Sequence, residues 1–436
     1  MPTRFRGALV AAAAALTFAT AVMATTSAAA TTATVRRAVT QNPRGQFLGV
    51  IPSQPSGAPA ATPHAAVPHV MSQVTYHNGP VQHSSAVQPI FWAPPAVPFP
   101  SNYAATIVKY FTDVAHDSFT AGNPYGSDTQ YYDIVNSVKR WESYAVTLKP
   151  TITDTNAYPA NGCNNYMLDD STMSKKCLTN AQIVNQIKAV ITAHSLPTGM
   201  ATNYFLFTPQ GIASCLTASS LSSGGCYDPL NFPGYCAYHS HAGTGAQVVL
   251  FANVHFANIN GCASGQSPQG NSADSTINEV SHEHQETITD PLGTAWFDTD
   301  GNEIADKCVF TFGAPLGTNS FGQYNEAINN HGYWLQEIWS NRDQDCVQRN
   351  TWPQPTSSFT FSPTAPARGA KVSFHSTSHS GDGSALTYRW TFPGGTVSTM
   401  ANPSTSFSTA GSKVVTLVVA DTHGDQARVT HTVTVH

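Results

Sequence analysis

Val87-Gln88-Pro89-Ile90-Phe91-Trp92 is a short, mainly apolar run, and after a Pro-rich turn the segment Tyr103 to Ala115 repeats its apolar side chains with a helical period. A strand leading into an amphipathic helix is the beginning of a layered core. The same alternation continues with a helical period over Ala181 to His194 and strand-like runs at Tyr204 to Thr208 and Gln247 to Val254. Together they predict an α/β or α+β central domain over residues 71–350, with Gly-, Ser- and Pro-rich loops carrying much of its surface.

Upstream, residues 31–70 are rich in Ala, Thr, Pro and Gln without a hydrophobic period, which predicts an unpacked linker or pro-segment. Arg36-Arg37 is a candidate processing site, although a dibasic pair is commonly just solvated. Residues 1–30 have a signal-peptide layout: Arg4 and Arg6, an apolar run from Ala8 to Ala24, then small residues through Ala30. That run is alanine-rich and interrupted by Thr17 and Thr20, so it is too short and too weakly apolar for a membrane anchor. No later stretch is long and apolar enough to span a bilayer, and the expected location is secreted, extracellular.

Downstream of Thr351 the composition changes through Pro353 and Pro355 into short alternating segments at Lys371 to Phe374, Leu386 to Phe392 and Lys413 to Val419. These predict an all-β, immunoglobulin-like sandwich over residues 356–436.

Eight cysteines, at 163, 177, 215, 226, 236, 262, 308 and 346, predict four disulfides in an exported chain. There is no C-x-x-C pair to suggest a cysteine zinc site. Proximity suggests Cys163 with Cys177 and Cys308 with Cys346. The formal charge of −5 becomes −7 without the two leader arginines, which argues against a nucleic-acid partner. Charged residues are only 10% of the chain, against roughly 25% in an ordinary soluble protein, so tolerance of acidic surroundings is expected.

The chemistry-bearing stretch is Ile277-Asn278-Glu279-Val280-Ser281-His282-Glu283-His284-Gln285-Glu286-Thr287-Ile288-Thr289-Asp290-Pro291. As a helix ended by Pro291, it places His282, Glu286 and Asp290 one turn apart on one face. A histidine and a second ligand at that spacing grip a metal, and Glu283, directly after the histidine, can draw a proton from water. The pattern is H-E-x-x-E; a carboxylate at its last position weakens Lewis acidity, so zinc is expected with calcium as the rival. A competing reading makes Asp298, Asp300, Asn302 and Asp306 a calcium loop and leaves Glu283 and His284 as solvated helix residues. Among the remaining histidines, His239 and His241 fall in a Gly/Ser-rich loop and His255 in an apolar run; each is more simply a satisfied structural residue. His331, before Gly332-Tyr333-Trp334, is the favoured late-chain catalytic donor. Ser281 lacks a G-x-S-x-G elbow, which disfavours a serine hydrolase.

Three resemblances add to this. Asn302-Glu303 followed by Asp306 resembles the second-helix glutamate motif of gluzincin peptidases, which implies Glu303 as a third metal ligand and Asp306 behind the ligands, orienting His282; Asp290, on the ligand face of the helix, is expected in a similar supporting place. Tyr388-Arg389-Trp390-Thr391-Phe392, Asn402-Pro403, Phe407 and Val414 to Val419 resemble a PKD domain, with Pro393-Gly394-Gly395 where the family usually has Gly-Asp-Gly. That implies a spacer or an adhesion module for a matrix or cell-wall polymer. Finally, Tyr76-His77-Asn78-Gly79-Pro80-Val81, Gly234-Tyr235-Cys236-Ala237-Tyr238-His239, Ser281-His282-Glu283 and Glu303-Ile304-Ala305-Asp306-Lys307-Cys308 together resemble the EXORDIUM or phosphate-induced protein family of secreted plant and bacterial proteins. This resemblance implies an extracellular role linked in plants to the cell wall, but no reaction. Two functions follow as expectations: a secreted zinc endopeptidase acting on a protein or peptide, or a non-catalytic matrix-binding protein with a structural cation.

Overall fold

The computed structural model describes residues 48–54, 72–163, 176–216, 225–230 and 234–436. The expected signal peptide, the dibasic pair and most of residues 31–70 lie outside them. Strand is the predominant regular structure of the described residues, beside a few helices and four disulfides.

The main sheet is built from β1 (Leu48–Pro52), β2 (Ser85–Trp92), β3 (Val146–Leu148), β4 (Ile152–Asp154), β5 (Thr202–Phe207), β6 (Tyr235–Ala242) and β7 (Val249–Val254). Its order is β1-β6-β7-β5-β2-β3, with β4 continuing along β2 beyond β3. Strands β7, β5, β2, β3 and β4 pair in parallel, whereas β6 and β1 add antiparallel strands at one end. Strands β5 and β7 are buried along their whole length, which is why they read as continuous apolar runs rather than alternating ones.

Three helices accompany the sheet: α1 (Tyr103–His116), α2 (Asn180–Ala193) and α3 (Ala273–Thr289). Helix α2 begins with a capping box in which the Thr179 hydroxyl accepts from the Gln182 N–H and the Gln182 side chain accepts in return. Helix α1 buries Ile107, Tyr110, Phe111 and Val114 at helical spacing. Helix α3 is different, because every one of its residues is buried although most are polar. It lies against β1, β6, β7 and α1, so no face of it meets solvent.

Two positions differ from the sequence reading. Residues 48–52, within the stretch expected to be unpacked, form β1 and place Ile51 in the main core. Five residues are too few to display a period, and pairing with β6 supplies the order. His239 and His241 lie on strand β6, not in a loop.

The C-terminal part is a β-sandwich. One sheet joins Phe359–Ser362, Lys371–Ser376 and Ser404–Ser406, and the other joins Val397–Ser398, Thr387–Thr391, Gly411–Ala420 and Gln426–Val435. Trp390 is fully enclosed between Phe359, Phe374 and Phe392, with its indole N–H donating to the Met400 carbonyl at 2.8 Å. Arg342 pairs with Asp425 at 2.7 Å, and the Gln426 amide donates to the Glu142 carbonyl, joining the sandwich to the residues before it.

Candidate metal centre on helix α3

Helix α3 is fixed at both ends before its chemistry begins. The Asp274 carboxylate accepts from the Gln269 and Asn271 N–H groups and the Ser267 hydroxyl, all ahead of the first turn. At the other end Pro291 stops the helix, and Asp290 Oδ1 accepts from the N–H groups of Thr294 and Ala295 at 2.6 and 2.8 Å. Asp290 therefore shapes the turn leaving the helix, and burial raises its pKa to about 7.

One turn earlier, Glu286 is gripped on one side only. Its Oε1 accepts from the backbone N–H groups of Ala305 (3.1 Å) and Asp306 (2.8 Å). That leaves Oε2 facing His282 Nε2 at 3.2 Å and His239 Nδ1 at 3.7 Å. His239 Nδ1 also lies 3.0 Å from Glu283 Oε2, and its Nε2 lies 3.7 Å from Glu303 Oε1. Asp306 completes the ring, with Oδ1 3.6 Å from His282 Nε2 and Oδ2 accepting the Glu303 N–H. Donor atoms of His239, Glu283 and Glu286 lie within 4.8 Å of one another, as do those of His282, Glu286 and Asp306. The two trios share Glu286.

These groups are out of water. His239, His282, Glu283 and Glu286 are all 0% exposed. Among the described residues, Glu283 Oε1, Glu286 Oε2, His239 Nε2 and both ring nitrogens of His282 find no well-directed hydrogen bond beyond the ion-pair approaches given above. Buried polar atoms normally find partners, so several left over around one point require a physical cause. Burial holds His239 neutral, with its pKa pulled down to about 3, and pushes the Glu283 and Glu286 carboxyls up. For His282, burial favours the neutral ring, but the neighbouring Glu286 and Asp306 carboxylates outweigh it and raise the pKa. Four carboxyl groups and two imidazoles converge with no lysine or arginine ion-paired to them among the described residues. Such a set either keeps protons it would lose in water or accommodates a cation.

The structure thus brings His282, Glu283, Glu286, Glu303 and Asp306 together. It places Asp306 on the same imidazole nitrogen as Glu286, rather than behind the ring where an orienting group would stand. It adds His239, whose only signal in the sequence was membership of a short motif around Cys236. His331 goes elsewhere: it lies on the strand His331–Tyr333 and pairs with Asp113 of α1 at 3.0 Å. His284 and Glu283, in the competing reading solvated, are fully buried. His284 is a core residue bonded to Ser85 and Tyr125 at 2.7 and 3.0 Å. His255 is likewise structural, held by Ser214, the Cys236 carbonyl and a stacked Tyr227. Asp298 organises its own turn, accepting from Asp300, Asn302 and Lys307, which leaves it poorly placed for a calcium loop.

A comparison with curated proteins finds no match. Among solved structures, a carbohydrate-binding module study of the β-sandwich superfamily aligns at 29% identity over 19% of this chain, and this chain spans about a third (34%) of that one, with a TM-score of 0.18. The PKD1 domain of the Vibrio cholerae metalloprotease PrtV aligns at 34% identity, over 19% of this chain and 96% of that one, with a TM-score of 0.17. The PKD1 domain of Vibrio anguillarum Epp gives 32%, 19%, 94% and 0.17. A scan of known families matches residues 352–436 to the PKD domain. Residues 352–436, which include the whole C-terminal sandwich, are therefore a PKD domain.

Proposed function

We propose that this protein is a secreted metal-dependent hydrolase, an endopeptidase that holds zinc at the α3 cluster and acts on protein or peptide. The observation that carries the reading is the convergence of His239, His282 and Glu286 with Glu283, Glu303 and Asp306 in a site closed to water. Two imidazoles among carboxylates suit zinc better than calcium, which prefers an all-oxygen shell. His282, Glu286 and Glu303 are the proposed ligands, with Asp306 beside His282 and with His239 between Glu286 and Glu303. Bound there, the metal would polarise a peptide carbonyl and acidify water. Glu283 is the proposed general base, its raised pKa suited to taking up a proton and returning it to the leaving amine. Asp290 keeps the helix end in place. The central region is read as an α/β unit carrying this site, and the EXORDIUM-type resemblance as a sign of an extracellular setting. The PKD domain is assigned an anchoring role on a matrix or cell-wall polymer, in keeping with its neighbours, one of which comes from a metalloprotease and another from a study of carbohydrate-binding modules.

A second reading, a non-catalytic matrix-binding protein with a structural cation, is favoured by the complete burial of His239, His282, Glu283 and Glu286. Elemental analysis of the purified protein beside a Glu286→Ala/Glu303→Ala variant, with cleavage of a denatured protein assayed on both and on Glu283→Gln, separates the two. One zinc per chain, lost in the double variant, with EDTA-sensitive cleavage lost in Glu283→Gln, supports the peptidase. Calcium, or no metal, with no cleavage supports the binding protein.

A further inference from the structure

Strand β1 lies across the α3 cluster. It pairs antiparallel with β6, Leu48 opposite His239 and Val50 opposite Tyr238, with an irregular register between them. Gly49 has a φ of 45°, and a Cβ built on it would overlap Glu286 Oε2 and the His239 ring. Only a residue without a side chain brings the backbone this close to the two groups. Two residues on, Ile51 is fully buried in the core, and Gln54 hooks the segment down by bonds to the Gly261 and Ala263 carbonyls. Among the described residues β1 is terminal in the sheet and pairs only with β6, whereas β2, the sheet strand that follows it in the chain, lies near the opposite end. It is an added strand covering an edge that would otherwise be open.

We infer that the outer edge of β6 is an acceptor for an extended peptide strand, and that β1 is its built-in occupant, closing the cluster until it is displaced. This rests on the peptidase reading for its chemistry, and it names the substrate class: an extended polypeptide with glycine or another small residue over Glu286 and a branched apolar residue two positions on. Main-chain bonds to β6 supply affinity and the two side-chain positions supply selection, the usual logic of strand addition. It also accounts for the zero exposure of His239 and Glu286 in a protein that must admit a substrate.

The test uses the full-length chain with two substitutions that act differently. Gly49→Val introduces the Cβ clash, and Ile51→Asp removes the apolar anchor. A fluorescent peptide of residues 46–54 is titrated by anisotropy, hydrogen exchange is followed at Tyr235–Ala242 and Val249–Val254, and cleavage of an unfolded protein is measured. The inference expects the peptide to bind both variants at least about tenfold more tightly than the wild type, because the competing strand no longer fills the edge. Exchange should quicken along β6 and not along β7, and cleavage should rise by a similar factor. Peptide binding without any cleavage leaves the strand inference standing and overturns the peptidase reading. EDTA-sensitive cleavage that neither variant changes, with no gain in peptide binding, overturns the inference and leaves the peptidase reading intact. Loss of the cooperative unfolding transition in both variants also overturns it, since a displaceable strand cannot be required for the fold.

Discussion

Substituting Glu286 by Gln should abolish the response of this protein's stability to metal while changing the metal-free protein little. In the structure Glu286 Oε1 accepts two backbone N–H bonds and Oε2 faces both imidazoles. Glutamine keeps the geometry of the two backbone bonds but loses their charge assistance, about 1 kcal/mol each. It also removes one negative charge from a crowded group of carboxyls, which offsets part of that loss. The metal-free variant should therefore stay within about 2 kcal/mol of the wild type. Metal bound to the folded state alone adds about 2.7 kcal/mol at 100 times Kd and about 4.1 at 1,000 times. At about 2 °C per kcal/mol for a domain of this size, zinc should raise the wild-type Tm by about 5–8 °C over an EDTA-treated sample and the variant's by almost nothing. Differential scanning calorimetry in the two buffers reads both effects. Equal wild-type Tm values with zinc and with EDTA would refute the reasoning, as would a variant that responds like the wild type.

His331→Ala should leave kcat unchanged in a peptide-cleavage assay, because its Asp113 partner belongs to α1 and not to the cluster; a loss of more than about tenfold would restore it as a catalytic donor. Burial raises the Glu326 pKa to about 8 despite Arg349 at 3.3 Å. Because the folded pKa exceeds the unfolded one, the associated stability is present below about pH 4 and is lost as pH rises toward 8, so Glu326→Gln should flatten a decline of a few kcal/mol in urea titrations across that range. Breaking Cys308–Cys346 with a double serine substitution opens a loop whose ends are 38 positions apart, and about 4 kcal/mol of stability should go with it in denaturant unfolding; an unchanged midpoint would refute the loop-closure argument.

Much of the local structure was legible. The expected helices over Tyr103 to Ala115 and Ala181 to His194 match α1 and α2 to within about a residue, since each has an apolar stripe and α2 also has a capping box. The disulfides Cys163–Cys177 and Cys308–Cys346 formed as proximity suggested, and the sandwich follows from strict alternation around Trp390. Strand β1 was not legible, because a five-residue strand in a Pro- and Ala-rich stretch carries no period and owes its order to β6. His239 was not legible either, because strand alternation shows only that it faces one side of a sheet, not what stands opposite.

By itself the sequence determined the elements whose signals are local: the helix that carries His282 and Glu286 one turn apart with Glu283 beside the histidine, the end of that helix at Pro291, the sandwich and the cysteine inventory. The tertiary structure decided what those residues meet. Antiparallel addition of β6 brings His239 to Glu283, the turn at residues 303–306 delivers Asp306 to His282, and β1 sets the backbone of Gly49 against Glu286. The physical reason is that periodicity and capping act over one or two turns of chain, whereas side chains separated by 44 positions, as His239 and Glu283 are, meet only when the sheet and the helix have packed.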